Sequence, residues 1–444
     1  VLACGSASAV GTAPAGAAGS NWTVYHHDPG GSGNAGSGLD LSPVHAAWSS
    51  PALDGSLYGE PLVLGTSVYV ATENDTVYAL NAATGTVRWR HHLGTPVPSG
   101  DLPCGNIGPT VGITSTPVID PVRQEIFVVD DELSGGVPTH VLYGLKTAGG
   151  AVALRQGVDP PGADPAAILQ RASLTLDGGS VVFGYGGNYG DCSTYHGWVA
   201  SVPEAGGAMA TFEVDGGPGE DQGAVWMGGG APVVDGSGHV WVAAGNGSVT
   251  SSSGPYDDSD SVLELSSSLS LLQFFAPLHW YRDNAEDLDL GSAVPAVLSN
   301  GLVVQAGKSD TAFLLNGAAL GGIGHPLHNR SVCGADVDGG VALAGNTVYL
   351  PCEAGVVALK TDPTTDSFSQ LWQTPTGSGG PPIVAGGLVW TISGGTLFGL
   401  NPANGQAEQQ LSISPNATDF PTPSVGDGLL LAPAGDQVDA FAGP

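Results

Sequence analysis

Apolar and polar residues alternate over short stretches along most of this chain, and each stretch ends in Gly, Asn, Asp or Pro. The clearest unit runs from Tyr58 to Leu93. It predicts strands over 61–64, 68–72, 76–80 and 87–90, joined by the turns Gly65-Thr66-Ser67, Glu73-Asn74-Asp75 and Asn81-Ala82-Ala83-Thr84-Gly85. Period-two alternation with this punctuation is a hairpin signal. The unit recurs roughly every forty residues, which marks a repeat architecture. Further copies begin at 116–120, 172–176, 230–235 and 292–298, a sixth contains 340–344, and the last two begin at 380–384 and 421–425. Many short strands in repeated groups of four predict an all-β fold, a single β-propeller of eight four-stranded blades over residues 21–444. The eighth copy stops after Val438-Asp439-Ala440-Phe441, one strand short. An N-terminal strand at 44–48 is expected to complete it, because an open ring would leave sheet edges unpaired.

Composition agrees with this reading. Gly 71 and Pro 33 make up almost a quarter of the 444 residues, yet 41% are hydrophobic, which is too apolar for a disordered polymer. Charge then narrows the partners. The net charge of −31 arises from a shortage of bases, Lys+Arg being 10 against Asp+Glu 41. No basic stripe is present to bind nucleic acid, and the same deficit disfavours anionic lipid surfaces. No apolar run reaches the length of about eighteen residues that spans a bilayer, so no transmembrane segment is expected.

The chain opens Val1-Leu2-Ala3-Cys4-Gly5 and continues in Ser, Ala and Gly to Ser20. Residues 1–20 read as a signal remnant running into a flexible tether, with Cys4 either lipidated or an unpaired thiol. Cys104, Cys192, Cys333 and Cys352 form an even set with no metal-type C-x-x-C spacing. Disulfides in an extracellular, cell-surface or periplasmic setting are the expectation. Cys333 and Cys352 flank two strand-like runs, which suits a bridge within one blade and leaves Cys104 for Cys192.

The segment Tyr78-Ala79-Leu80-Asn81-Ala82-Ala83-Thr84-Gly85-Thr86-Val87-Arg88-Trp89, with a weaker echo at Gly399–Gly405, resembles the A-x-D-x-x-T-G-x-x-x-W signature of pyrroloquinoline-quinone (PQQ) type propeller repeats. In that pattern the Trp of the outermost strand packs between blades, the role expected for Trp89 and Trp372. The whole arrangement is similar to secreted bacterial PQQ-like propellers. That group includes quinoprotein alcohol dehydrogenases and a non-enzymatic lipoprotein of outer-membrane assembly, so repeats alone do not decide function.

The resemblance extends to site motifs. Quinoprotein dehydrogenases carry a Trp beneath the quinone, then a metal-binding Gly-Asn, a D-x-D pair and a Lys that reaches the quinone oxygens. Matching these in order are Trp226, Asn246 in Ala244-Gly245-Asn246-Gly247, Asp287-Leu288-Asp289, and Lys308, one of only three lysines. The resemblance implies Trp226 and Lys308 as cofactor contacts, Asp287 as catalytic base, and Asn246, Asp287, Asp289 and Asp191 as oxygen ligands of Ca²⁺ or a lanthanide. PQQ with that metal would oxidise an alcohol or a sugar, the cofactor carrying the electronics. The departures are that no adjacent-cysteine pair exists, no Arg is clearly matched to the quinone carboxylates (Arg123, Arg155 and Arg171 remain as candidates), and no haem motif C-x-x-C-H is present. Electrons would leave to an external acceptor. Three readings stand open: a PQQ- and metal-dependent oxidoreductase, a non-catalytic scaffold binding proteins or polymers at the cell surface, and a structural surface-assembly protein. His196, in Tyr195-His196-Gly197-Trp198, reads as a hydrogen-bonded structural residue.

Overall fold

The computed structural model describes residues 21–374, 377 and 379–444, so Cys4 and the tether expected over 1–20 lie outside the described residues. Eight antiparallel sheets, each built on four strands, form a propeller. The first blade comprises Leu62–Leu64, Ser67–Thr72, Thr76–Asn81 and Val87–His92. The eighth comprises Ser424–Gly426, Leu429–Ala434 and Gln437–Ala442, and its outer strand is His45–Ser49. His45 pairs with Ala442 and Ser49 with Asp439, so the ring closes through the N-terminus as expected, one residue later than 44–48.

The innermost strands start later than the apolar pattern suggests, at Val118, Thr175, Val233, Ala296, Ala342 and Ile383 in the second to seventh blades. The small residues before them spend their hydrogen bonds on the neighbouring blade. Glu60 N–H donates to Thr116 Oγ1 at 2.8 Å, Thr116 N–H to Ser173 Oγ at 3.1 Å, and Ser173 N–H to the Gly230 carbonyl at 3.0 Å. Thr, Ser and Gly there stitch a collar around the channel, a use of the backbone that strand periodicity does not reveal.

Burial follows from the radial stacking. Ser67–Thr72, Val240–Ala244 and Leu429–Ala434 are buried at every position, being covered by blades on both faces. Outer strands such as Val87–His92 and Ala407–Ser412 are largely exposed. Trp89 and Trp372 hold the rim as the repeat signature implies, and Trp48 does the same. Each indole lies on the turn glycine of the next blade, Gly150, Gly405 and Gly85 respectively, where an added Cβ would strike the ring. Each indole N–H donates to a carbonyl of that same turn, Thr147, Pro402 and Ala82, at 2.9, 2.9 and 2.7 Å.

One end of the channel is plugged. Residues 22–35 cross it, pairing with the innermost strands of five blades: Trp22 with Val63, Thr23 O with Ile119 N–H, Pro29 O with Val234 N–H, Ser32 O with Leu343 N–H, and Gly33 O with Val384 N–H. Trp22 is fully buried, and Tyr25 and His26 fill the channel above it, within reach of Thr422, Gly340 and Val341. Both disulfides expected from the sequence are present, Cys104–Cys192 and Cys333–Cys352. Among the described residues no helix is long and apolar enough to cross a membrane.

Candidate functional site

At the unplugged end a cavity of about 410 Å³ opens among the loops that enter the innermost strands. Five of the six site positions named from the sequence, Asp191, Trp226, Asp287, Asp289 and Lys308, line it together. The sixth, Asn246, is buried just behind the wall.

The local sequence explains each placement. Trp226 lies in the loop entering the fourth blade, where Gly186 leaves room for its indole, Gly187 leaves room for the Tyr195 ring, and the Gly187 carbonyl accepts the indole N–H at 3.0 Å. Asp287 caps a short helix, Trp280–Glu286, that periodicity did not announce, and its φ of 56 ends the helix in the left-handed region tolerated by Asp. Asp289 follows on the inward path to the fifth blade. Lys308 stands on the turn after Leu302–Gln305, its N–H bonded to the Asp289 carbonyl at 3.0 Å.

These groups form one hydrogen-bonded chain. Tyr195 O–H donates to Asp191 Oδ1 at 2.6 Å and accepts from Asn246 Nδ2 at 3.1 Å. Asn246 N–H donates to Asp289 Oδ1 at 2.8 Å. Lys308 Nζ then bridges Asp289 Oδ2 at 2.5 Å and Asp287 Oδ1 at 3.1 Å. Asp289 is almost fully buried whereas Asp287 is 72% exposed. Burial pushes Asp289 above its ordinary value against the pull of Lys308. Burial alone would lower Lys308, but the Asp289 and Asp287 carboxylates outweigh it and hold the ammonium well above its usual range. Tyr195 was missed by sequence reasoning, which singled out its neighbour His196. The latter turns away to Asp215 Oδ1 at 3.1 Å, a structural pair.

Arg171 is the second cation of the cavity, and no motif pointed to it. It is 8% exposed, it has no carboxylate within ion-pair distance among the described residues, and its one hydrogen bond goes to the Asp419 carbonyl at 3.3 Å. Its guanidinium lies over Tyr58 and Phe420, with 5.7 and 5.9 Å to the ring centroids. Gly229 makes the approach possible, since a Cβ there would overlap the guanidinium. Burial lowers its pKa, yet a guanidinium stays charged. The other two candidates are accounted for on blade surfaces, Arg123 beside Glu125 and Glu204 and Arg155 on Glu132. The rim is fixed by Cys104–Cys192, which ties the loop carrying Asn106 and Ile107 to the one carrying Tyr189, Gly190 and Asp191.

The donor set suits two kinds of ligand. A buried cation without a carboxylate, beside a second cation and an indole, fits a planar anionic molecule. Asp191 and Asn246 meet on the Tyr195 hydroxyl through Oδ1 and Nδ2, and their remaining oxygens, Asp191 Oδ2 and Asn246 Oδ1, have no hydrogen-bond donor among the described residues, a donor chemistry that suits a hard cation. Between Asp287 and Asp289 the cation is Lys308 itself.

Solved structures share the fold. The chain aligns over 96% of its length with 80% of a quinohemoprotein alcohol dehydrogenase, ADHIIG, from Pseudomonas putida HK5, at 13% identity and a TM-score of 0.71. It aligns over 95% with 98% of a europium-containing methanol dehydrogenase, at 12% identity and a TM-score of 0.70. With BamB from Moraxella catarrhalis the alignment covers 90% of this chain and 97% of that one, at 14% identity and a TM-score of 0.58. No curated protein sequence matches. A family model described as outer membrane protein assembly factor BamB matches residues 23–254, more than half of the chain. With its repeats, its eight blades and that match, the chain belongs to this family of PQQ-like propellers.

Proposed function

We propose that the cavity binds a planar, carboxylate-bearing cofactor of the PQQ type together with Ca²⁺ or a lanthanide, and that the protein is a quinoprotein-like oxidoreductase acting on an alcohol or a sugar. The observation that carries this reading is the continuous chain Asp191–Tyr195–Asn246–Asp289–Lys308–Asp287, on the same cavity as Trp226 and the unpaired Arg171. When bound, such a cofactor accepts hydride from the substrate carbon. Arg171 and Lys308 would balance its carboxylate and quinone charges, and Trp226 would supply a flat apolar support. Asp191 and Asn246 offer oxygens to the metal. Asp287, exposed at the mouth, is the group placed to take the substrate's hydroxyl proton, with Lys308 orienting its carboxylate. Two disulfides and the family support a setting in the periplasm or outside the cell as part of this reading. A lipid anchor at Cys4 and an external electron acceptor belong to the same proposal.

The test has a binding arm and a catalytic arm. Purified protein titrated with PQQ and Ca²⁺ should lose tryptophan fluorescence through Trp226 and reduce an artificial dye when given alcohols. Arg171→Met should weaken PQQ binding at least about tenfold, the loss of one charge-assisted contact. Binding without turnover would leave a ligand-sensing propeller. Neither quenching nor turnover would favour the second reading, a scaffold for proteins or polymers, for which the family's description and the exposed rim residues Tyr189 and Phe420 speak.

A further inference from the structure

A second cluster, away from the cavity and independent of its reading, lies between the first two blades. Asp75 sits on the turn between Ser67–Thr72 and Thr76–Asn81, and Asp130 on the strand Glu125–Ser134. Both residues are fully buried, and none of their four carboxylate oxygens has a hydrogen-bond donor among the described residues. Strand alternation puts Asp130 and Glu132 on one face, toward the first blade, and Asp131 on the other, toward His140. Gly94 and Gly112 are the walls: a Cβ on Gly94 would stand 3.1 Å from Asp130 Oδ2, and one on Gly112 would overlap Asp75 Oδ1. The ribbon Val97–Pro98 with Thr110–Val111 lies alongside, Pro96 bridging to Glu132.

No Lys or Arg among the described residues reaches Asp75 or Asp130. Arg155 is engaged with Glu132 and the Tyr143 hydroxyl, and His140, on the other face of the strand, is bonded to Asp159 at 2.8 Å. Unpaired carboxylates in a dry interior cost several kcal/mol each, so such a pair must hold a proton or a cation. One shared proton satisfies two of the oxygens and leaves the others bare. A calcium-like ion takes several carboxylate oxygens at once, bidentately where they face it. We propose that Asp75 and Asp130 hold a hard divalent cation between the first and second blades. The ion would pin neighbouring blades where the hydrophobic contact is interrupted by acid.

Calcium binding to the full chain, stripped with chelator at pH 7, measured by isothermal titration and by Tm, tests this. The wild type should bind calcium saturably, with Tm rising by several degrees, since a ligand that binds only the folded state stabilises it by mass action. Glu408→Gln, on the exposed outer strand of the seventh blade, should keep that rise. Asp130→Asn should lose it and bind one ion fewer, while matching or exceeding the wild type in chelator because a repulsion has gone. Asp75→Asn, on a turn, carries the same comparison if the strand variant does not fold. A wild type whose Tm ignores calcium, or an Asp130→Asn and Asp75→Asn pair that retain the full rise, overturns the proposal, the first outcome leaving a shared proton.

Discussion

The two ends of the channel are built from the same eight repeats and are chemically opposite. At the plugged end the N-terminal segment makes backbone bonds to five blades, and burial disfavours the charged forms of the groups it covers, His26 and Glu60. Burial draws His26 down to about 4 and pushes Glu60 well above the carboxylate range. At the open end the loops leave a cavity that keeps two cations, Lys308 between two carboxylates and Arg171 over two aromatic rings. The difference teaches that the propeller frame settles shape alone. Charge is kept only where polar loops, a disulfide and glycine gaps hold it open, the arrangement expected where a fold gives up stability for binding.

Three experiments sharpen this contrast. Replacing Cys104 and Cys192 by Ala should cost the most, about 4–5 kcal/mol on the chain-entropy argument for a crosslink separated by 88 residues, read as a lowered denaturation midpoint. It should also weaken ligand binding at the cavity, since the rim loops lose their tie. Trp22→Ala at the plugged end should cost about 3–5 kcal/mol through a cavity in the sealed core, while leaving the open end's binding intact. Equal loss of binding in both variants would abolish the distinction between a rim and a plug.

The third effect is smaller and concerns pH. Burial raises Asp338, on the cavity wall, and Asp215 to about 7. For a carboxyl raised in the folded state, the native protein binds the proton more tightly, so stability is full below the unfolded value and falls as pH rises through about 7. Tm should therefore decline between pH 5 and 8, and Asp338→Asn should flatten part of that decline. A Tm that climbs with pH over this range would contradict the assignment.

Much of the ring was legible because alternation, turn residues and the Thr-Gly…Trp signature are local. Trp89 and Trp372 could be placed between blades from sequence for that reason, and the missing eighth strand announced its own supplier. Trp226, Asn246, Asp287, Asp289 and Lys308 could be picked out as candidates because their order and spacing resemble the dehydrogenase motifs, and Asp191 through a looser likeness. Arg171 could be named only as one of three unmatched arginines, since its surroundings come from Tyr58 and Phe420, on either side of the ring closure. Tyr195 was hidden beside a more conspicuous histidine. The plug was illegible for a different reason: its polar, glycine-rich sequence holds the channel through backbone bonds, which leave no side-chain pattern. Asp75 and Asp130 vanished into the background of an acidic chain.

The closing strand has a consequence for how the molecule is made. His45–Ser49 finds its partner at Asp439–Ala442, and the Ser49 hydroxyl meets the Asp439 carboxylate across 390 residues. A ribosome delivers the first of these long before the second, so the early strand emerges without the edge it needs, and the plug emerges before the sixth and seventh blades exist. Contacts of such long range make assembly slow and leave sheet edges open in the interval. Synthesis, more than the finished ring, is thus the stage at which its unpaired edges stand exposed.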